Sequence, residues 1–220
     1  YYEMNNLKNL FSTMKREGWS PAFVLERLNQ YINDLPNRDI YVAKRASGRF
    51  KKGDLRTDKI EEEKERMKKL AAAVSEFEKF QALMRTQNRD DFDDMINWLI
   101  QAFESCPQLL AQYQERYQYI LVDEFQDTSG TQNKLVELLI NYWDQPNIFV
   151  VGDDDQSIYR FQGANVENME QFADNYTAQL MTVVLTNNYR STQSILDISK
   201  TLIDRNNERL VKKMEGLTKN

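Results

Sequence analysis

The stretch Tyr119-Ile-Leu-Val-Asp-Glu124 decides the fold of this 220-residue chain. Apolar and aromatic residues typical of a short strand run directly into two carboxylates. Two further apolar runs follow later in the chain, at 148–151 and 181–185. Helical periodicity fills the intervals between the runs, at about 131–142 and 164–174. This alternation of strand and helix predicts an α/β fold with a parallel sheet.

Carboxylates stand at the ends of the first two predicted strands. Ligands of parallel sheets bind beyond the carboxyl ends of the strands. A carboxylate there, such as Asp123, can hold Mg²⁺, and its neighbour Glu124 can orient or deprotonate a water molecule. After the second strand come Asp153–Asp155 and then Gln156, whose amide can both donate to and accept from a phosphate oxygen or a water. Each signal alone is equally compatible with a solvated strand end.

Aromatic and basic residues accompany these strand ends. Tyr159 and Phe161 flank Arg160 and could stack on nucleic-acid bases, although packing in the core would explain them as well. Arg190 precedes a helix predicted over about 192–206. From that position it can reach a phosphate, or it can face solvent.

The first 88 residues have a different character. Apolar residues at helical spacing predict helices over about 4–16, 21–33 and 55–87, and a further helix follows at about 91–104. Residues 1–88 carry 18 basic and 13 acidic side chains, whereas the rest of the chain carries 11 and 21. The irregular segment 34–53 contains a basic cluster: Lys44, Arg45, Arg49, Lys51 and Lys52. This cluster is either a nucleic-acid contact or a solvated loop.

Composition excludes several classes of protein. There is no histidine, which removes histidine triads and histidine metal ligands. Cys106 is the only cysteine, so an internal disulfide is excluded, and a reducing, cytoplasmic compartment is expected. No apolar run approaches the ~18 residues of a membrane span, so no membrane partner is expected.

Three motifs together resemble the UvrD/Rep/PcrA-type superfamily 1 DNA helicases. Residues 123–128 (Asp-Glu-Phe-Gln-Asp-Thr), 152–164 and 188–191 (Asn-Tyr-Arg-Ser) resemble motifs II, III and IV of that family, in the same order and spacing. Asp91-Phe-Asp-Asp94 resembles the return from its helical insertion into the motor domain. The resemblance implies a partial RecA-like parallel sheet with flanking helices, preceded by an all-helical insertion subdomain. The implied divisions are 1–88 (1B-like), 89–182 (1A-like) and 183–220 (2A-like).

The resemblance also implies roles at a nucleotide site for ATP and Mg²⁺. Asp123 would hold Mg²⁺, and Glu124 would be the general base for ATP hydrolysis. Gln156 would sense the γ-phosphate. Arg190 would contact it from the second motor domain, with Tyr189 stacked near the adenine.

DNA is the other partner that the resemblance implies, both as a single strand and as junction duplex. Tyr159 and Phe161 would stack on the single strand, and the basic cluster at 44–52 would face phosphates. The family commonly has tryptophan at Phe161 and arginine at Gln162. Phenylalanine retains a stacking face, whereas glutamine removes one charged contact.

A phosphate-binding loop of the form Gly-x-x-x-x-Gly-Lys-Ser/Thr is missing from the 220 residues. Gly48 and Gly53 have the spacing of its glycines, but Asp54 and Leu55 replace the lysine and the hydroxyl residue, and Asp54 would repel phosphate. The family's motifs V and VI are also missing. We therefore predict an internal fragment of a 3′-to-5′ helicase, inactive alone, whose partners include the N- and C-terminal parts of the same polypeptide.

Three alternatives remain open at this point. The chain could be the helicase arm of a helicase–nuclease. It could be a non-enzymatic DNA-binding or partner-docking module that works through segment 44–52 and the charged helix after it. A metal-dependent nuclease using Asp123, Glu124 and Asp153–Asp155 would leave the motifs at 156–159 and 188–191 unexplained.

Overall fold

A computed structural model describes residues 2–46, 50–156 and 166–205. The chain divides into two compact units, Tyr1–Asn97 and Trp98–Asn220. The first unit is helical, and the second contains a small parallel sheet with helices. The α/β prediction, a partial RecA-like sheet with flanking helices after an all-helical part, is confirmed.

The helices of the first unit follow the apolar periodicity of the sequence. They are α1 (Tyr2–Glu17), α2 (Pro21–Asp34), α3 (Thr57–Ser75) and α4 (Phe77–Thr86), and α5 (Phe92–Ser105) begins in this unit. Ser20 caps α2 by accepting a hydrogen bond from the Phe23 amide at 3.2 Å, and Pro21 occupies the first turn. Phe11, Met14 and Val74 form a buried core between α1 and α3.

The prediction of one helix over 55–87 is wrong, because the structure breaks it at Glu76 into α3 and α4. The Glu76 amide donates to the Ala73 carbonyl at 3.1 Å, the tighter bond of a helix end. The break directs Phe77 and Phe80 onto Phe11, with ring centroids 5.4 and 4.9 Å away. Sequence periodicity does not report such a break, because the apolar stripe continues through it.

The described residues of segment 34–53, which are 34–46 and 50–53, are less irregular than predicted. Two single 3-10 turns, Leu35–Asn37 and Asp39–Tyr41, lead into an antiparallel bridge between Val42 and Leu55. The Ala43 amide donates to the Asp54 carbonyl, and the Gly53 amide donates to the Ala43 carbonyl, each at 2.8 Å. Gly53 has a φ of +94°, a backbone conformation that favours glycine. We call the described residues 42–46 and 50–55 the basic hairpin.

The second unit contains α6 (Pro107–Arg116), β1 (Ile120–Val122), α7 (Gly130–Ile140), β2 (Ile148–Val150), α8 (Val166–Asn175) and α9 (Gln193–Ile203). The strands β1 and β2 are parallel, with Ile120 opposite Ile148 and Val122 opposite Val150. Helix α6 was not predicted, although Pro107 at its first turn and the apolar pair Leu109–Leu110 could have indicated it.

The predicted third strand is wrong. Residues 181–185 form no strand in the described part of the chain, and Met181 and Leu185 are largely exposed. A strand exists only where a neighbour completes its ladder of hydrogen bonds, and β-propensity cannot supply that neighbour. Among the described residues, no helix combines the length and apolarity needed to cross a membrane.

Candidate active site

The end of β1 places two carboxylates in solvent. Directly after Val122, Asp123 and Glu124 are exposed, and Asp123 Oδ1 accepts a hydrogen bond from the Glu124 amide at 2.9 Å. Glu124 has a φ of +50°, the left-handed region that non-glycine residues rarely adopt. Strained backbone of this kind persists where surrounding contacts hold it and is common at functional sites.

The end of β2 lies beside the end of β1. The Val151 amide donates to the Val122 carbonyl at 2.8 Å, and the Phe125 amide donates to the Val151 carbonyl at 2.9 Å. The two strands therefore end at the same edge, where the sequence predicts the ligand to bind.

The aspartates after β2 form a compact cluster. Asp153, Asp154 and Asp155 each offer a carboxylate oxygen, and these oxygens lie within 4.8 Å of one another. Asp153 accepts hydrogen bonds from the Gln156 amide nitrogen Nε2 at 2.8 Å and from the Asp155 backbone at 3.1 Å. Carboxylate oxygens at one sheet edge are the hard donors that suit a divalent cation such as Mg²⁺.

Gln126, whose role was not predicted from the sequence, joins the two strand ends. Its side chain is 1% exposed, donates from Nε2 to Glu124 Oε2 at 2.7 Å and accepts at Oε1 from the Asp153 amide at 3.1 Å. A Cβ on Gly152 would lie 2.8 Å from Gln126 Oε1, so a larger residue there would force the Gln126 amide or the adjacent backbone to shift.

The residues predicted for the second motor domain lie on an exposed loop before α9. Asn188 Oδ1 accepts hydrogen bonds from the backbone amides of Arg190 and Ser191, each at 2.9 Å. Tyr189 is 93% exposed, and Arg190 is exposed. Within the described part of the chain, neither makes a hydrogen bond or ion pair with the carboxylates at the strand ends. Tyr159 and Phe161 lie outside the described residues.

The basic hairpin presents four exposed cations: Lys44, Arg45, Lys51 and Lys52. None of the four forms an ion pair with another described residue, and Arg49 lies outside the described residues. The Lys51 amide donates to Asp54 Oδ2 at 2.6 Å, and the Asp54 amide donates to the Lys51 carbonyl at 3.1 Å. These amides are engaged within the turn, unlike the open amides of a phosphate-binding loop.

Residues 1–177 match the family model described as the UvrD/REP helicase N-terminal domain. The chain belongs to the UvrD/REP helicase family. The chain is 45% identical to the ATP-dependent DNA helicase PcrA of Leuconostoc citreum over 135 residues, which are 61% of this chain and 18% of that protein. It is 46% and 45% identical to the PcrA helicases of Staphylococcus epidermidis RP62A and Staphylococcus aureus Mu50, each over 119 residues, 54% of this chain. Each of these matches spans less than a fifth of the relative's length.

The matched region of this UvrD/REP family member also contains an ion cluster, centred on a buried lysine, that was not predicted from the sequence. Lys15 Nζ lies 2.8 Å from Oδ2 of both Asp91 and Asp94. Burial alone would lower the pKa of Lys15, but hydrogen bonds and the charges of the two carboxylates outweigh it, so the pKa is raised. The available signal was Lys15 itself, a cation one helical turn after Phe11, directly beside Met14 of the apolar stripe.

Asp91 and Asp94 also define the start of α5. The Asp94 amide donates to Asp91 Oδ1, and the Asp91 amide donates to Asp94 Oδ2, each at 3.0 Å. This reciprocal pair satisfies amides at the helix start, as a capping box does. The segment that resembles the family's return into the motor domain is thus a capped helix start anchored to α1.

Proposed function

We propose that these residues form part of the motor of an ATP-dependent 3′-to-5′ DNA helicase, which couples ATP hydrolysis to translocation on single-stranded DNA and to duplex unwinding. One observation carries the proposal: exposed Asp123 and Glu124 end β1 at the edge where Asp153–Gln156 end β2. Membership of the UvrD/REP family supports it. The relatives that carry the name ATP-dependent DNA helicase give it further support.

At this edge, each side chain has one task. Asp123 would hold Mg²⁺ through its exposed carboxylate, and the ion would supply charge neutralisation at the phosphates when bound. Glu124 orients the attacking water and accepts its proton, since it is an exposed carboxylate fixed by the Gln126 amide. Gln156 contacts the γ-phosphate through its amide. Phosphoryl transfer needs this positioning and charge neutralisation more than covalent chemistry.

Residues from the proposed second motor domain complete the nucleotide site. Arg190 contacts the γ-phosphate, and Tyr189 stacks near the adenine. The exposure of both side chains supports a role toward a ligand. The divisions 1–88, 89–182 and 183–220 belong to the same proposal.

DNA contacts divide between two regions. Tyr159 and Phe161 stack on the single strand. The basic hairpin faces phosphates of junction duplex, because its four exposed cations have no acidic partner among the described residues. A purely DNA-binding role without ATP hydrolysis is the second candidate, and the same hairpin favours it.

We further propose that the 220 residues do not hydrolyse ATP alone, since they contain no Gly-x-x-x-x-Gly-Lys sequence to hold the phosphates. DNA-stimulated, Glu124-dependent ATPase activity of the isolated 220-residue chain would contradict this. The purely DNA-binding candidate would be favoured if the complete polypeptide also binds DNA in a salt-sensitive way but does not hydrolyse nucleotide.

The decisive experiment uses the complete polypeptide to which these residues belong. Glu124→Gln should lower DNA-stimulated ATP hydrolysis about 100-fold or more, the usual contribution of a general base, while ATP still binds. Glu104→Gln is the matched control, since it removes one exposed carboxylate elsewhere in the second unit and should leave the rate unchanged. Full ATPase activity in Glu124→Gln would overturn the role of Glu124 as the base, and absence of DNA-stimulated ATP hydrolysis in the complete polypeptide would overturn the proposed motor. Mg²⁺-dependent plasmid nicking that Asp123→Ala abolishes would favour a nuclease instead.

A further inference from the structure

A continuous chain of hydrogen bonds joins the two side chains proposed to act on the water and on the γ-phosphate. Gln126 Nε2 donates to Glu124 Oε2 at 2.7 Å, and Gln126 Oε1 accepts from the Asp153 amide at 3.1 Å. Gln156 Nε2 donates to the carboxylate of the same Asp153 at 2.8 Å. The path from Glu124 to Gln156 therefore runs through one glutamine and one aspartate.

Gln126 is suited to this link because a primary amide has a donor and an acceptor at one end. Glutamate at this position could accept from the Asp153 amide but would repel Glu124. Methionine would fill the space and make neither bond. The side chain is almost completely buried, so water does not replace a lost bond at low cost.

The surrounding backbone holds Gln126 in one place. Gly152 leaves room for the amide oxygen, since a Cβ there would lie 2.8 Å from Oε1. The positive φ of Glu124 turns its side chain back within reach of Gln126 Nε2. Two unusual features therefore lie next to the Gln126 amide. Glu124 has a left-handed backbone conformation, and Gly152 has no space for a methyl group.

We propose that Gln126 is a positioning residue that fixes the Glu124 carboxylate and couples its placement to the loop carrying Gln156. The proposal rests on the proposed ATPase function. When Gln156 engages a phosphate oxygen, a shift of Asp153 is transmitted through Gln126 to Glu124. The base is thereby aligned when the γ-phosphate is in place.

The test compares Gln126→Met with Gln114→Met in the complete polypeptide. Gln114 is also buried in the second unit and donates one hydrogen bond, to the Leu138 carbonyl at 2.7 Å, so its loss is purely structural. Gln126→Met should lower kcat for DNA-stimulated ATP hydrolysis roughly 10- to 100-fold, as a misplaced base does. Its KM for ATP should stay within about twofold, because ground-state binding is unchanged. Gln114→Met should change neither constant.

A double-mutant cycle tests the coupling itself. If Gln156 acts on Glu124 through Asp153 and Gln126, the combined loss in Gln126→Met/Gln156→Ala is smaller than the product of the two single losses. Independent, multiplying effects would overturn the coupling.

Wild-type kcat in Gln126→Met, or an equal loss in Gln114→Met, would overturn the positioning role. If Gln126→Met does not fold, Gln126→Glu carries the test, since it keeps the shape and the acceptor; its kcat should fall, and a wild-type value would refute the proposal. Full activity in Glu124→Gln would instead refute the role of Glu124 as the base, and a complete polypeptide without DNA-stimulated ATP hydrolysis would refute the ATPase function on which this proposal rests.

Discussion

Replacing Lys15 by methionine should destabilise the first unit by about 3 kcal/mol, the lower end of the range for breaking a buried ion pair by removing one partner. Methionine retains the length and apolar stem of the side chain but not its charge. The substitution therefore isolates the contribution of the ammonium group, which belongs to a side chain that is only 2% exposed.

The magnitude follows from what remains after the change. Asp94 is buried, and without Lys15 Nζ at 2.8 Å it would be left as an unpaired charge. Two donors would remain to it, the Asp91 amide at 3.0 Å and Gln81 Nε2 at 3.3 Å. These two hydrogen bonds offset part of the cost of leaving Asp94 unpaired. The expected loss of stability is therefore near the lower end of the range for breaking a buried ion pair. Asp91→Asn should cost less, about 1 kcal/mol, since the Asp91 side chain is 43% exposed.

Urea unfolding of the first unit measures these changes. Trp19 lies in this unit, and Trp98 and Trp143 lie in the second, so replacing the latter two by phenylalanine makes Trp19 the only tryptophan reporter. The midpoint should fall in Lys15→Met while the slope m stays constant.

Lys79→Met is the matched control for Lys15→Met. It removes a lysine that is 75% exposed and pairs with Glu76 at 2.8 Å on the surface, and it should change stability by less than about 0.5 kcal/mol. A loss in Lys15→Met below about 1 kcal/mol, or no larger than that of Lys79→Met, would refute the reasoning.

Three further predictions concern the same two units. Burial alone would raise the pKa of Asp94, but its hydrogen bonds, of which the one from Lys15 has the largest effect, lower the pKa below its usual value. The first unit should therefore lose stability as the pH falls below about 4. The urea midpoint should thus drop between pH 6 and pH 3, and an equal drop in Asp94→Asn would contradict this assignment. Gly152→Ala should cost about 1–3 kcal/mol in the second unit, because the new methyl group would lie 2.8 Å from the buried Gln126 amide oxygen; an unchanged thermal midpoint would contradict the close packing. Reversing Lys51 and Lys52 to glutamate should weaken duplex DNA binding and reduce the salt slope by about 2, one unit per lost phosphate contact, and unchanged affinity would count against the basic hairpin as a DNA contact.

Local patterns in the sequence predicted most elements of the structure. The spacing of apolar residues located α1, α2, α5, α7, α8 and the two strands to within a few residues. The carboxylates at 123–124 and 153–155 were correctly expected at one sheet edge, since the ends of parallel strands coincide. The prediction of a strand at 181–185 was wrong, because a strand forms only beside a partner strand and the local sequence does not show whether that partner is present.

The sequence by itself determined the class of fold, most of its helices, its two strands and the identity of the polar residues at the strand ends. Those properties follow from local periodicity and from residue chemistry. Only the tertiary structure decided that Gln126 joins Glu124 to Asp153, and that Lys15 is buried between Asp91 and Asp94. The first contact joins residues 27 positions apart, and the second joins residues 76 and 79 apart. Such contacts arise when packing excludes water and leaves each buried polar group to find its partner, which no local pattern encodes.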